Sequence, residues 1–128
     1  MQTFIILLGS QPLAPANGLK AMKFASTALA AGHKVHSVFF LGDGVYHANA
    51  LVQTPSDETD LLAAWQQFAQ QHGIALINCA TAAARRGVLS AIEAQENGQV
   101  ANLADGFEVG GLVELVKGIT QTDRVVRF

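Results

Sequence analysis

The sequence predicts an α/β fold, a three-layer αβα sandwich with a five-stranded, mostly parallel sheet. Three observations carry this. Short apolar runs rich in branched side chains recur along the chain, as strands buried on both faces require. Stretches with apolar residues at helical spacing separate them. Strand and helix alternate from end to end, the order that right-handed βαβ units produce.

Taken in order, Thr3–Leu8 is the first strand. Gly9–Asn17 holds two prolines and a glycine, the composition of a loop, and Asn17 is a candidate helix cap. Leu19, Met22, Ser26 and Leu29 then mark a helix that Gly32 ends. Val35–Leu41 is the second strand, followed by the loop Gly42-Asp43-Gly44. Val45–Val52 reads equally as loop or short helix. Pro55-Ser56-Asp57-Glu58 looks like a helix start, with negative charge at the positive end of the dipole. Leu61, Trp65, Phe68 and His72 mark one face of that helix, which Gly73 closes. Ile74–Asn78 is the third strand, and Ala80–Arg86 has the propensity to begin a helix straight after Cys79. Gly87–Val100 is helical in part, with a break near Asn97-Gly98. Phe107–Val109 is a short fourth strand. Leu112, Leu115, Val116 and Ile119 form a further helical stripe, and Asp123–Phe128 is the last strand.

At 128 residues the chain suits one domain spanning 1–128. Apolar residues make up 50% and charged residues only 14%, where about 25% is usual. So little charge leaves part of the surface apolar, and burial against other chains is the expectation. A net charge of −2 argues against a direct electrostatic grip on nucleic acid. The run Phe4–Leu8 is too short for a signal segment and no run is long enough to cross a bilayer. The expectation is a cytoplasmic protein without membrane contact, its thiols kept reduced.

The single cysteine, Cys79, is the first candidate for chemistry. It excludes an internal disulfide and a CxxC pair, so a reacting thiol takes its second sulfur from another molecule. Alone, a free cysteine more often fills a core than reacts. Its position, where a buried strand ends and a helix begins, favours the anionic thiolate and equally an anionic persulfide. Arg85 and Arg86 lie within two turns and fit either support of Cys79 or plain solvation and partner contact. Asp43, Tyr46 and His47, on the loop after the second strand, fit a pocket wall or a partner contact, with an ordinary turn as the bland alternative. Gly42-Asp43-Gly44 follows a strand as a dinucleotide loop would, but His47 stands where a third glycine is needed. No Gly-Lys-Ser/Thr occurs, and His33 and His36 fall on opposite sides of a strand. No cofactor and no metal are expected.

A set of ordered segments resembles the DsrE family, in its sulfur-relay branch of TusD-like subunits. These are Ser37-Val38-Phe39-Phe40, Asp43-Gly44-Val45-Tyr46 with Ala48-Asn49, Ser56-Asp57-Glu58 and Ala64-Trp65-Gln66-Gln67. They continue with Gln71-His72-Gly73-Ile74-Ala75-Leu76, Cys79, Ala84-Arg85-Arg86-Gly87-Val88, Gly106-Phe107, Gly110-Gly111-Leu112 and Asp123-Arg124-Val125-Val126 with Phe128. The resemblance implies a DsrE-like sandwich and a persulfide-carrying cysteine after the third strand, which is Cys79. It implies a heterohexamer with TusB-like and TusC-like subunits, sulfur from a TusA-type donor, and delivery to a TusE-type acceptor for 2-thiolation of a tRNA wobble uridine. Family subunits also serve sulfur oxidation, so that pathway stays open beside tRNA thiolation. A non-catalytic structural subunit and a flavodoxin-like small-molecule binder are the readings from other classes.

Overall fold

The apolar runs pair as one sheet in a computed structural model that describes residues 1–128. Its strands are β1 (Thr3–Leu8), β2 (Lys34–Phe40), β3 (Ala75–Cys79), β4 (Phe107–Gly110) and β5 (Arg124–Arg127). They run in the order β4-β3-β2-β1-β5, and every pairing is parallel. The helices are α1 (Ala16–Ala30), α2 (Leu61–His72), α3 (Ala80–Arg85), α4 (Ala91–Glu96) and α5 (Leu112–Thr120), with a 3-10 helix over Gly42–Ala48. The predicted strands are all present, their ends shifted by a residue or so.

Topology decides which face each helix covers. From β1 to β4 the sheet grows in one direction, so right-handed crossovers put the intervening helices on one face. The β4-to-β5 connection runs back across the sheet, so α5 lies on the other. The packing follows. Ile6, Leu8, Val38, Phe40, Leu76 and Phe107 form the main core with Ala21 and Ala25 of α1, Trp65 and Phe68 of α2, and Ala83 of α3. Ile5, Leu7, Phe39 and Ile77 form a smaller core under Leu115 of α5. Each such side chain, fully buried, contributes roughly 1.5–3 kcal/mol. Phe40 centres the main core, its ring 5.4 Å from Trp65 and 5.3 Å from Phe107.

Three helices differ from expectation. In α1 the buried residues are Gly18, Ala21, Ala25 and Ala28, while Leu19 and Ser26 are exposed. Small residues let this helix lie close to the sheet; of the predicted stripe, Met22 and Leu29 still pack half-buried against the main core. Asn17 lies inside α1 rather than at its cap, and its side-chain amide donates to Ser10 Oγ at 2.7 Å. Helix α2 starts at Leu61, after the predicted start. Asp60 is its cap, with Oδ1 accepting from Ala63 N at 3.0 Å, whereas Pro55 and Glu58 close a separate turn. In α5 the residue against the sheet is Gly118, where a Cβ would stand 2.7 Å from Ile5 Cδ1. Leu112, Val113 and Val116 are left exposed.

Candidate functional site at the end of the third strand

Cys79 closes β3. Cys79 is in register with Gly110 of β4, and on the other side the β2 pairing ends one residue earlier, at Asn78 beside Phe40. The backbone of Cys79 is extended and α3 starts at the next residue, so the cysteine is both last in the strand and cap of the helix. Its side chain makes no capping hydrogen bond, which leaves the sulfur uncommitted. The thiol is free and half-buried, packed at the margin where the two cores meet.

The surroundings of this thiol follow from the crossovers. After β3 the chain turns to α3 on the main-core face; after β4 it turns to α5 on the opposite face. Adjacent parallel strands whose connections diverge in this way leave a crevice beyond their carboxyl ends, where ligands of open α/β sheets bind. At the carboxyl ends of β3 and β4 the paired residues are Cys79 and Gly110. Gly110 has to be glycine: a Cβ there would sit 2.5 Å from Ile77 Cγ2 and 3.3 Å from Glu114. The start of α5 therefore lies close to the sheet beside the cysteine. Glu114 holds that start by accepting from Gly111 N at 2.7 Å, which keeps its carboxyl below the usual range.

The other candidates are arranged less simply. Arg86 donates from Nε to Asp43 Oδ1 at 2.9 Å and from a terminal nitrogen to the Ala82 carbonyl at 3.1 Å. This pair ties the end of α3 to the 3-10 helix. Arg85 is exposed and makes no ion pair. Neither arginine bonds to Cys79. Tyr46 is half-buried against the main core. Together with Asp43 it lines a cavity of about 720 Å³ between the β1–α1 loop, the 3-10 helix, the segment 52–60 and the start of α2. Cys79 is not in that wall. The structure thus brings Asp43 to Arg86 and Tyr46 to a separate cavity, and leaves Cys79 apart from both at the carboxyl end of β3.

The Gly42-Asp43-Gly44 segment is shaped by sterics. Gly42 has φ +53°, and a Cβ on Gly44 would fall 1.9 Å from the Leu8 carbonyl oxygen. Its glycines let the 3-10 helix pass over the end of β1. Three polar residues are buried; Asn78 and Asn102 went unread in the sequence, and His47 was read only as a pocket-wall or contact residue. Asn78 is fully buried and donates to the Val45 carbonyl at 3.3 Å, binding the strand before Cys79 to the 3-10 helix. Asn102 accepts from Leu89 N at 2.7 Å and donates to Asn49 Oδ1 and the Gly87 carbonyl, joining three loops. His47 is 2% exposed; its Nε2 meets the Ser10 carbonyl at 2.9 Å and its Nδ1 has no partner. Burial pushes this imidazole down to about 4, against a smaller upward pull from the Ser10 carbonyl. Asn78 carried a usable signal, an amide interrupting an apolar strand one residue before the cysteine.

Residues 2–128 match the model of the DsrE/DsrF-like family. The chain belongs to that family. Among relatives, it is 47% identical over 109 residues to the sulfurtransferase TusD of Photorhabdus laumondii subsp. laumondii, covering 84% of this chain and 83% of that one. The crystal structure of the YchN protein from E. coli superposes with a TM-score of 0.77 over 100% of both chains at 20% identity. That likeness shows a DsrE-type fold. The all-parallel sheet with helices on both faces is the architecture expected from the sequence.

Proposed function

We propose that this DsrE-family chain is a sulfurtransferase that carries sulfur as a persulfide on Cys79. One observation carries the reading: the sole cysteine is free, half-buried and placed at the carboxyl end of β3, where the connections after β3 and β4 diverge. Sulfurtransferase activity is further supported by the likeness to TusD.

The chemistry is two exchanges. The Cys79 thiolate attacks the outer sulfur of a donor persulfide. A new S–S bond forms at Cys79, the donor's S–S bond breaks, and the donor leaves as a thiolate. An acceptor thiolate then attacks the outer sulfur of the Cys79 persulfide and releases the Cys79 thiolate. Neither step needs an external oxidant or reductant, and both depend on thiolate fraction and access. With no second cysteine in the chain, the persulfide has no internal thiol to discharge onto.

In this reading residues 1–128 act as one DsrE-like domain within a cytoplasmic sulfur-relay complex. The sister subunits are TusB-like and TusC-like chains in a heterohexamer. The donor is of TusA type, the acceptor of TusE type, and the sulfur ends in the 2-thiouridine of a tRNA wobble position. The exposed apolar residues Leu112, Val113 and Val116 on α5 support assembly, since single subunits seldom leave such a face in water. Arg85 is free to meet an incoming partner, the Arg86–Asp43 pair braces α3, and Tyr46 supports the main core away from the thiol.

The test is a relay assay. The purified complex is incubated with a persulfidated TusA-type donor, then with a TusE-type acceptor. Sulfur is expected on Cys79 and then on the acceptor. Transfer of equal extent by a Cys79→Ser complex would overturn the reading.

A further inference from the structure

The exchange chemistry at Cys79 gives Asp43-Gly44-Val45 no task, yet each of these three residues is tied to a different element. Gly44 lies against β1: a Cβ there would fall 1.9 Å from the Leu8 carbonyl oxygen, which also accepts from Leu41 N at 3.1 Å. The segment is therefore seated on the sheet. Asp43 Oδ1 accepts from Nε of Arg86, the residue that ends α3, at 2.9 Å. The Val45 carbonyl accepts from Asn78 Nδ2, in the last turn of backbone before the cysteine, at 3.3 Å. Between the two tied positions, 78 and 86, lie Cys79 and α3 alone. The thiol-bearing stretch is thus held at both ends by one seated segment.

Stability does not account for either tie. Asn78 is fully buried and its Oδ1 has no partner, so an apolar side chain would leave one fewer acceptor unmet. The Arg86–Asp43 pair is partly in water, where ion pairs contribute little. Neither Asn78 nor Arg86 bonds to the sulfur. What the ties share is the position of the backbone between them.

We propose that Asp43-Gly44-Val45 is the seat that locates the Cys79 thiol, with Asn78 and Arg86 as its positioning residues. The inference rests on Cys79 being the sulfur carrier. A donor protein presents its persulfide at a fixed place once docked, so the attacking sulfur has to stand in line with the S–S bond that breaks. A displacement of about 1 Å at such a step can cost on the order of 100-fold in rate. A small alkylating reagent approaches from any side and makes no such demand.

The test is single-turnover sulfur loading of the purified complex by a persulfidated donor protein over a range of concentrations, read by mass spectrometry of the Cys79 peptide. Asn78→Val and Arg86→Met are each expected to lower the maximal loading rate about three- to tenfold, through misplacement of the nucleophile. The donor concentration giving half that rate is expected to stay within about twofold of native, since neither side chain contacts the donor. Alkylation of Cys79 by iodoacetamide is also expected within about twofold of native, because thiolate fraction and access are kept. Val35→Ala, at the far end of β2 in the same core, lowers stability without touching either tie and is expected to load at the native rate. Arg86→Met lies at a partly exposed site, so it decides the matter if Asn78→Val does not fold. A native maximal rate in either folded variant, a change confined to the half-saturating donor concentration, a parallel fall in alkylation, or an equal loss in Val35→Ala would each overturn the proposal. A native complex that takes up no sulfur would overturn the sulfur-carrier reading and this inference with it; native loading with unaffected variants overturns this inference alone.

Discussion

The Cys79 sulfur differs from an ordinary core thiol in its placement. It ends a strand whose preceding residues, Leu76, Ile77 and Asn78, are buried, yet it is itself half-exposed and unbonded. Replacing Sγ by Oγ removes the nucleophile and little packing. Cys79→Ser is therefore expected to keep stability within about 1 kcal/mol by urea denaturation, the range for a partly exposed site, and to abolish sulfur loading. His47 makes a different prediction. Its folded pKa of about 4 lies below the ordinary imidazole value of 6.5, so the unfolded chain binds more protons between those values. Stability from this group is complete above pH 6.5 and is lost as pH falls towards 4, by up to about 3 kcal/mol. The check is urea denaturation at pH 7 and pH 4.5 for the native chain and His47→Gln. The variant should show the smaller acid loss; equal losses would show that His47 is not the source. Cys79 was legible because strand and helix patterns meet at it in sequence. His47 was not, because what buries it, Gly18 and the Ser10 carbonyl, arrives from the β1–α1 region.

At the scale of elements, glycines fix the distances. Gly44 lets the 3-10 helix touch the Leu8 carbonyl, and Gly110 lets α5 start against Ile77 beside Cys79. Alanine at either position forces backbone or core apart, and each substitution is expected to cost about 1–3 kcal/mol in urea or thermal unfolding. The Arg86–Asp43 pair lies in water by comparison, so Arg86→Ala should cost less than about 1 kcal/mol. Strand positions were legible because both faces are buried and apolar runs have no other use. The inward faces of α1 and α5 were not. Periodicity points to the largest apolar residues, whereas these helices approach through Ala21, Ala25 and Gly118, whose value is their small size. The start of α2 was misread for a related reason: Pro55–Glu58 and Asp60 both carry helix-start chemistry, and the hydrogen bond to Ala63 N decides for Asp60.

For the whole molecule, the order β4-β3-β2-β1-β5 has two consequences. It makes the connections after β3 and β4 diverge at Cys79, and it leaves the second face of the sheet to α5 alone. The low charge of the chain already signalled apolar surface, but only the reversed β4-to-β5 crossover locates it on Leu112, Val113 and Val116. Leu112→Glu with Val116→Glu is expected to leave the isolated chain folded and to reduce its co-purification with sister subunits at least about tenfold, since two buried charges without partners oppose docking. Unchanged assembly would remove α5 from the interface. The central claim is that the Cys79 sulfur accepts sulfur. The most direct measurement is mass spectrometry of the chain after exposure to a persulfidated donor protein, with a TusD relative treated alongside. The expected result is a gain of one sulfur atom on the peptide containing Cys79 and none in Cys79→Ser. An unmodified Cys79 peptide, while the relative loads normally, would contradict it.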